Sequence, residues 1–266
     1  MNCVTKNMLT DVLRGAGVKP CDWIHVHSSL SSFGYFEGGA EAVIDALLDT
    51  VSDGTLSIPS LAQKEKERRF ETWDINNTPS DVGRITEVFR TQPGTLRSDH
   101  PTHAVCARGK LAEFITQGHR TGKERPGTWG GYAFGHNSPW QKMYGHNAVI
   151  VLLGTDFNTS TIVHYIEYLI VEQILEKVPP DKFNLMAEKV SGWNKPGVWP
   201  SYNRLILQTQ MDEKGLLRHA VCGNCNIIIY NTRDMIDEAL TSMNENPEKW
   251  FNEAFLNWRN ECMKSS

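Results

Sequence analysis

The unbroken apolar run Ala148-Val149-Ile150-Val151-Leu152-Leu153, closed by Gly154, constrains this chain more than any other stretch. It is far shorter than the ~20 apolar residues that a membrane span requires. It also lacks the polar alternation of a half-exposed strand. A short, β-branched run of this kind reads as a strand buried on both faces, inside a sheet covered by helices. The residues after the run fit a strand–turn–helix unit. Thr155-Asp156-Phe157-Asn158-Thr159-Ser160-Thr161 is a turn with several candidate helix caps, and Ile162–Leu175 then carries helical spacing.

The same alternation recurs along the chain. Residues 5–16 read as a helix with Met8, Leu9, Val12 and Leu13 on one side, and Asp22–His27 as a strand. A Ser/Gly-rich loop covers Ser28–Gly39. Ala40–Val51 is a helix with Val43, Ile44, Leu47 and Leu48 inward, and Thr55–Ile58 a strand stopped by Pro59. A helix starts at Ser80 and buries Ile85, Val88 and Phe89. Ala104–Ala107 is a short strand and Lys110–Thr116 a short helix. Residues 118–147 show no period and read as a long functional loop. Residues 178–204, with Pro179, Pro180, Pro196 and Pro200, read as loop-rich. Leu205–Thr209 and Ile227–Tyr230 read as strands and Thr232–Met243 as a helix. Strands that alternate with helices predict an α/β fold. Residues 1–266 are expected to form a single domain with a central mixed sheet flanked by helices.

Bulk properties exclude several classes. The net charge of −4 lacks the basic footprint of a nucleic-acid binder. No signal peptide or membrane span is legible, so a cytoplasmic protein with no membrane partner is expected. The six cysteines are scattered and suggest no disulfide framework.

Three constellations carry polar chemistry. His164 and Glu167 are three residues apart on the helix after the apolar strand, hence on one face. A base near a helix N-terminus is favoured in its neutral form, and a carboxylate can fix its tautomer. Such pairs are common on helices, so spacing alone favours a structural role. His27-Ser28-Ser29-Leu30-Ser31-Ser32-Phe33-Gly34 links a strand to a helix, where hydroxyls and backbone N–H groups can hold phosphate. It has neither a Walker lysine nor a G-x-G-x-x-G pattern. Ser98-Asp99-His100-Pro101-Thr102-His103 is a polar turn before a short strand.

Two metal readings stand beside these. His25 and His27 share a strand face, and with His100, His103 and Asp156 they could form a hydrolase-type metal site. His219-x-x-Cys222-x-x-Cys225 has zinc-like spacing without a fourth ligand, so buried free cysteines on a strand are favoured. Trp193, Trp199 and Tyr202 could line an acceptor pocket or pack under a loop, and packing is favoured.

Taken in order, five segments resemble the aminoglycoside 3-N-acetyltransferase family. These are Val26–Gly34 with Glu37–Leu47, Asn77–Gly83 with Phe89-Arg90, Arg97–His103, Gly135-x-x-Ser138-Pro139-Trp140, and Leu153-Gly154 with Asn158-Thr159-x-x-x-x-His164-x-x-Glu167. The resemblance implies a fold unlike the common small N-acetyltransferase fold. It implies acetyl transfer from acetyl-CoA to the 3-amino group of an aminoglycoside or to a related small amine, without a metal. His164 would be the general base and Glu167 its partner. His27, Ser28, Ser29, Leu30, Ser31, Thr102 and His103 would bind acetyl-CoA. Carboxylates suit a cationic acceptor, and Asp74, Asp156, Glu167 and Glu71 are candidates. Two features depart from the family pattern. Ala104 stands where many relatives carry Ser, and Gln63–Arg69 carries four positive charges against two negative. A metal-dependent hydrolase and a non-catalytic binder of small molecules are the competing expectations.

Overall fold

A computed structural model describes residues 3–62, 69–119, 133–190 and 198–264. The basic run 64–68 and Trp193 lie outside the described residues. The elements in chain order are β1 (Cys3–Val4), α1 (Lys6–Gly15), β2 (Trp23–Ser28), β3 (Tyr35–Phe36), α2 (Gly39–Thr50), β4 (Thr55–Pro59), α3 (Arg69–Thr72), α4 (Arg84–Thr91), β5 (Leu96–Arg97), β6 (Val105–Gly109), α5 (Ala112–Thr116) and α6 (Pro139–His146). They continue with β7 (Val149–Leu153), α7 (Val163–Leu175), α8 (Pro180–Val190), α9 (Arg204–Glu213), β8 (Arg218–Cys222), β9 (Cys225–Asn231), α10 (Thr232–Glu245), α11 (Pro247–Trp250) and α12 (Glu253–Lys264).

Among the described residues, seven strands form one mixed sheet in the order β5-β6-β4-β2-β7-β9-β8. Strand β2 lies parallel to β4 and β7, and the outer pairings are antiparallel. The apolar run becomes β7, fully buried beside β2, as its composition predicts. Side chains alternate across the sheet. Ile24, Val26, Val149, Val151 and Leu153 face α1, α2 and α4. Trp23, Ile150 and Leu152 face the larger core built with α6, α7, α9, α10 and α12. His25 and His27 share that second face, with ring centroids 5.1 Å apart.

The connections place the site. Strand β2 leads through the serine loop into α2 on one face, and β7 leads into α7 on the other. Connections that part in this way open a crevice at the carboxyl ends of the two strands. Strand β6 is antiparallel to β4, so its leading residues Thr102 and His103 reach the same edge.

Several expectations need correction. Leu205–Thr209 is not a strand. It lies within α9, where Asn203 caps the Leu205 N–H at 3.0 Å and Leu207 and Met211 are buried four residues apart. Part of 178–204 is helix α8, which Pro180 can open because its missing N–H would be unsatisfied there anyway. Within 118–147, Ser138 caps α6 through the Gln141 N–H, again with Pro at the first helical position. The helix expected from Ser80 begins at Arg84. Met8 is exposed, whereas Leu9 and Leu13 are fully buried. Cys222 and Cys225 are free and buried at a hairpin turn, as favoured. Among the described residues, no helix is long and apolar enough to cross a membrane.

Candidate active site

The Asp156–Thr161 turn orients α7. Asp156 Oδ1 accepts the Asn158 N–H at 2.9 Å, and Thr159 Oγ1 donates to the Asp156 carbonyl at 2.8 Å. Phe157 anchors the turn by burial against Tyr230. His27 Nε2 accepts the Thr161 N–H at 3.4 Å, just ahead of α7, so the His27 proton sits on Nδ1. Burial alone pushes His27 down to about 3, which keeps it neutral.

At the second residue of α7, His164 Nδ1 lies 2.9 Å from Glu167 Oε2. An ionised carboxylate only accepts, so Nδ1 carries the proton and Nε2 is the acceptor nitrogen. The Glu167 side chain is 3% exposed and that of His164 19%, so the carboxylate is sealed and the imidazole reaches the cleft. Trp199 Nε1 donates to the same Glu167 oxygen at 2.8 Å. Arg204 Nη2 lies 3.7 Å from Glu167 Oε1 and 3.4 Å from both nitrogens of the His164 ring. Tyr202 OH donates to the Val163 carbonyl at 3.2 Å and pins the loop over the start of α7.

The turn before β6 forms the facing wall. The His103 and His164 rings meet edge to face, with centroids 6.0 Å apart, and Phe134 packs against both. His100 Nδ1 accepts the backbone N–H groups of Thr102 and His103 at 3.2 and 3.1 Å, which closes the turn. Thr102 Oγ1 lies 2.7 Å from His103 Nδ1. Behind His100, His119 stacks at 4.9 Å. Its Nε2 donates to the Ala133 carbonyl, so Nδ1 accepts from Ser98 Oγ at 2.9 Å, and Ser98 in turn accepts the Val105 N–H. Burial pushes His119 down to about 3, which fits this neutral, singly protonated role.

The serine loop sits where β2 and β7 end. Ser29 N–H donates to the Leu153 carbonyl at 2.9 Å, and Ser32 Oγ donates to the Ser29 carbonyl at 2.7 Å. Ser29 Oγ and Ser31 Oγ lie 3.1 Å apart. Gly154 has φ +65°, and a β-carbon there would lie 2.0 Å from Ser32 Oγ, so only glycine fits. Beside it, Thr155 Oγ1 is buried with no partner among the described residues.

The structure therefore brings His27, Ser28–Ser31, Thr102, His103, Asp156, His164 and Glu167 to one edge of the sheet. Asp74 lies one step away. Its carboxylate accepts the Asn76 and Asn77 N–H groups within its own turn. Trp73 joins that turn to Asp99 at 2.8 Å. Trp199, expected to pack, also donates to the dyad; spacing had no means of showing that, or of finding Arg204 and Phe134, because each reaches the dyad from a distant segment.

The metal readings gain no geometric support. His25 Nδ1 faces Ser57 Oγ at 3.0 Å, and His27 Nε2 is used by Thr161. Among the described residues, no group of three His, Cys, Asp or Glu side chains is arranged to hold a metal ion. His219 is exposed and pairs with Asp212, on the opposite strand face from buried Cys222.

Comparison with known proteins bears on this geometry. Residues 25–244 match the family described as aminoglycoside 3-N-acetyltransferase. A prophage-derived aminoglycoside N(3')-acetyltransferase-like protein of Bacillus subtilis, YokD, is 30% identical over 93% of this chain and 92% of its own length. The YokD crystal structure superimposes with a TM-score of 0.71 at 25% identity, covering 94% of this chain and 96% of YokD. Aminoglycoside N(3)-acetyltransferase III of Serratia marcescens is 32% identical over 61% of this chain and 64% of that enzyme, so this alignment spans under two thirds of its length. The fold of AAC-IIIb, solved as a binary complex with CoASH, superimposes with a TM-score of 0.72 at 22% identity, covering 95% and 99% of the two chains.

Proposed function

The chain belongs to the aminoglycoside 3-N-acetyltransferase family, a family of acyltransferases, and from that premise we propose that it transfers an acetyl group from acetyl-CoA to a primary amine of an aminoglycoside or related small molecule, with His164 as general base. The observation that carries this reading is the His164–Glu167 pair, its carboxylate sealed and its imidazole open to the crevice between β2 and β7.

The residues present suit the cosubstrate. Ser29 and Ser31 offer hydroxyls at the loop, and the orphaned Thr155 Oγ1 beside Gly154 needs a polar partner. The CoASH-bound relative shares this fold. Ser28–Ser31 and the wall of Thr102 and His103 would hold acetyl-CoA, which supplies the acetyl group as an activated thioester. Leu30 of that loop packs against the core on the α1 and α2 side, and neutral His27 lies on the other face of β2, against the turn ahead of α7.

The amine must lose a proton as its nitrogen forms the new C–N bond. His164 Nε2 takes that proton, while the other proton stays on Nδ1, donated to Glu167. Buried Glu167 steadies the imidazolium, and Trp199 and Arg204 hold the carboxylate in place. The same proton then passes from Nε2 to the departing sulfur, so the base is restored and the charges balance. Asp156, Glu71 and Asp74 remain candidates for contacts with a cationic acceptor. A cytoplasmic setting, where acetyl-CoA is plentiful, goes with this reading.

The test is thiol release from acetyl-CoA with a panel of amines, with mass spectrometry of the product. Release that needs the amine and yields an N-acetyl product supports the proposal. Binding of CoA without release for any amine contradicts it and favours a non-catalytic binder.

A further inference from the structure

His27 stands near the end of β2, on the sheet face that carries α7 and the dyad. Its Nε2 accepts the Thr161 backbone N–H at 3.4 Å. A backbone N–H can only donate, so this nitrogen holds no proton. Burial lowers the ring to about 3, and the start of α7 two residues past Thr161 also disfavours a cation there. A neutral imidazole has one proton, and on His27 it can sit only on Nδ1. That Nδ1–H has no acceptor among the described residues. It is also not fully enclosed, as the orphaned His25 Nε2 is. The residue keeps 6% of its surface open, where β2 and β7 end at the crevice.

Acyl transfer needs a donor of this kind. As the amine nitrogen adds to the thioester carbon, the carbonyl electron pair moves onto oxygen, and a fixed N–H aimed at that oxygen lowers the barrier. His164 handles the proton, and Glu167, Trp199 and Arg204 hold the base. None of them serves the oxygen. The acetyl carbon must lie beside the nitrogen whose proton His164 Nε2 takes, which brings the thioester to the face where His27 stands. Thr161 joins the two rings: its N–H holds His27, and its carbonyl accepts the His164 N–H at 3.1 Å.

We infer that the His27 Nδ1–H donates a hydrogen bond to the carbonyl oxygen of the acetyl thioester and steadies the negative charge that forms there. This deepens the acetyl-transfer reading and rests on it. The imidazole keeps its proton throughout. The C–N bond forms as the carbonyl pair moves to oxygen. The pair then returns, the C–S bond breaks, and the sulfur leaves with the proton from His164 Nε2. A neutral imidazole locked in one tautomer suits the step, because it need not reorient as the charge appears.

Infrared difference spectra of bound acetyl-CoA, isotope-labelled in the acyl carbonyl and recorded without acceptor, read the contact directly. In the native protein the carbonyl stretch should fall below its frequency in water. His27→Phe, which fills the space without an N–H, should abolish that shift. His27→Asn, whose amide N–H can stand near the Nδ1 position, should keep part of it. The single-turnover rate of thiol release should drop roughly 10²–10³-fold in His27→Phe and less in His27→Asn. Affinity for CoASH, which has no acyl oxygen, should stay unchanged by calorimetry. Thermal unfolding of each variant controls for folding, and the native spectrum needs no variant at all. A native stretch with no shift, a shift unmoved by His27→Phe, or a rate loss matched by an equal loss of CoASH affinity overturns the assignment while transfer itself stands. Absence of thiol release from the native protein with every amine overturns the transfer reading and this inference with it.

Discussion

Trp199 donates its indole N–H to the Glu167 oxygen that also accepts the His164 Nδ1–H, at 2.8 and 2.9 Å. One buried oxygen thus fixes both the ring of the base and the loop that covers it. Losing one donor to a buried carboxylate costs ~1–3 kcal/mol. Trp199→Phe keeps the packing and removes the N–H. Its kcat should fall roughly 5- to 100-fold, with CoA affinity unchanged. Steady-state kinetics beside calorimetry checks this, and an unaltered kcat would show that the indole only packs.

Gly154→Ala tests the junction between β7 and the serine loop. The added β-carbon would meet Ser32 Oγ at 2.0 Å from a backbone with φ +65°. The positive φ alone costs on the order of 1 kcal/mol, and displacing Ser32 adds to it. A loss of several degrees in Tm and weaker CoA binding are expected. A Tm and CoA affinity equal to those of the native protein would mean that the loop tolerates displacement and does not shape the cosubstrate site.

Acid should destabilise the fold steeply. Burial pushes His27 and His119 down to about 3 from the ordinary 6.5, and His25 is lowered well below that value by burial with a smaller contribution from His27. Each binds a proton in the unfolded chain before it does so in the folded one. Stability is therefore full above the unfolded value and is lost as pH falls toward the folded one. Each group contributes a slope of up to ~1.4 kcal/mol per pH unit in that window. Urea unfolding at about pH 7.5, 6 and 5 measures the slope. His119→Gln should reduce it by about one group's share, and a native slope near zero would contradict the buried neutral histidines.

Chelation should leave turnover unchanged. The dyad supplies the proton transfer, and the two strand histidines are engaged by Ser57 and Thr161. Activity lost on dialysis against a strong chelator and restored by one divalent ion would instead support the hydrolase reading of His25, His27, His100 and Asp156.

The sequence was legible where local spacing alone decides structure. The apolar run marks β7, and His164 and Glu167 share a helix face because they are three apart. It misled where period and tertiary context compete. Leu205-Ile206-Leu207 looks like a strand, yet the Asn203 cap and the spacing of Leu207 and Met211 favour α9. Trp199 and Arg204 left no local trace, since they meet Glu167 and His164 across 32 and 40 residues of chain. The strand-facing histidines were visible as a pair, but the hydrogen bonds that engage them were not.

The central claim is that His164 is the base. The most direct measurement is the single-turnover rate of thiol release from acetyl-CoA in His164→Ala beside the native protein, with CoA affinity measured by calorimetry on both. A positioned general base contributes roughly 10²–10⁴-fold, so the rate should fall by that factor with CoA affinity unchanged. A near-native rate in His164→Ala would contradict the assignment.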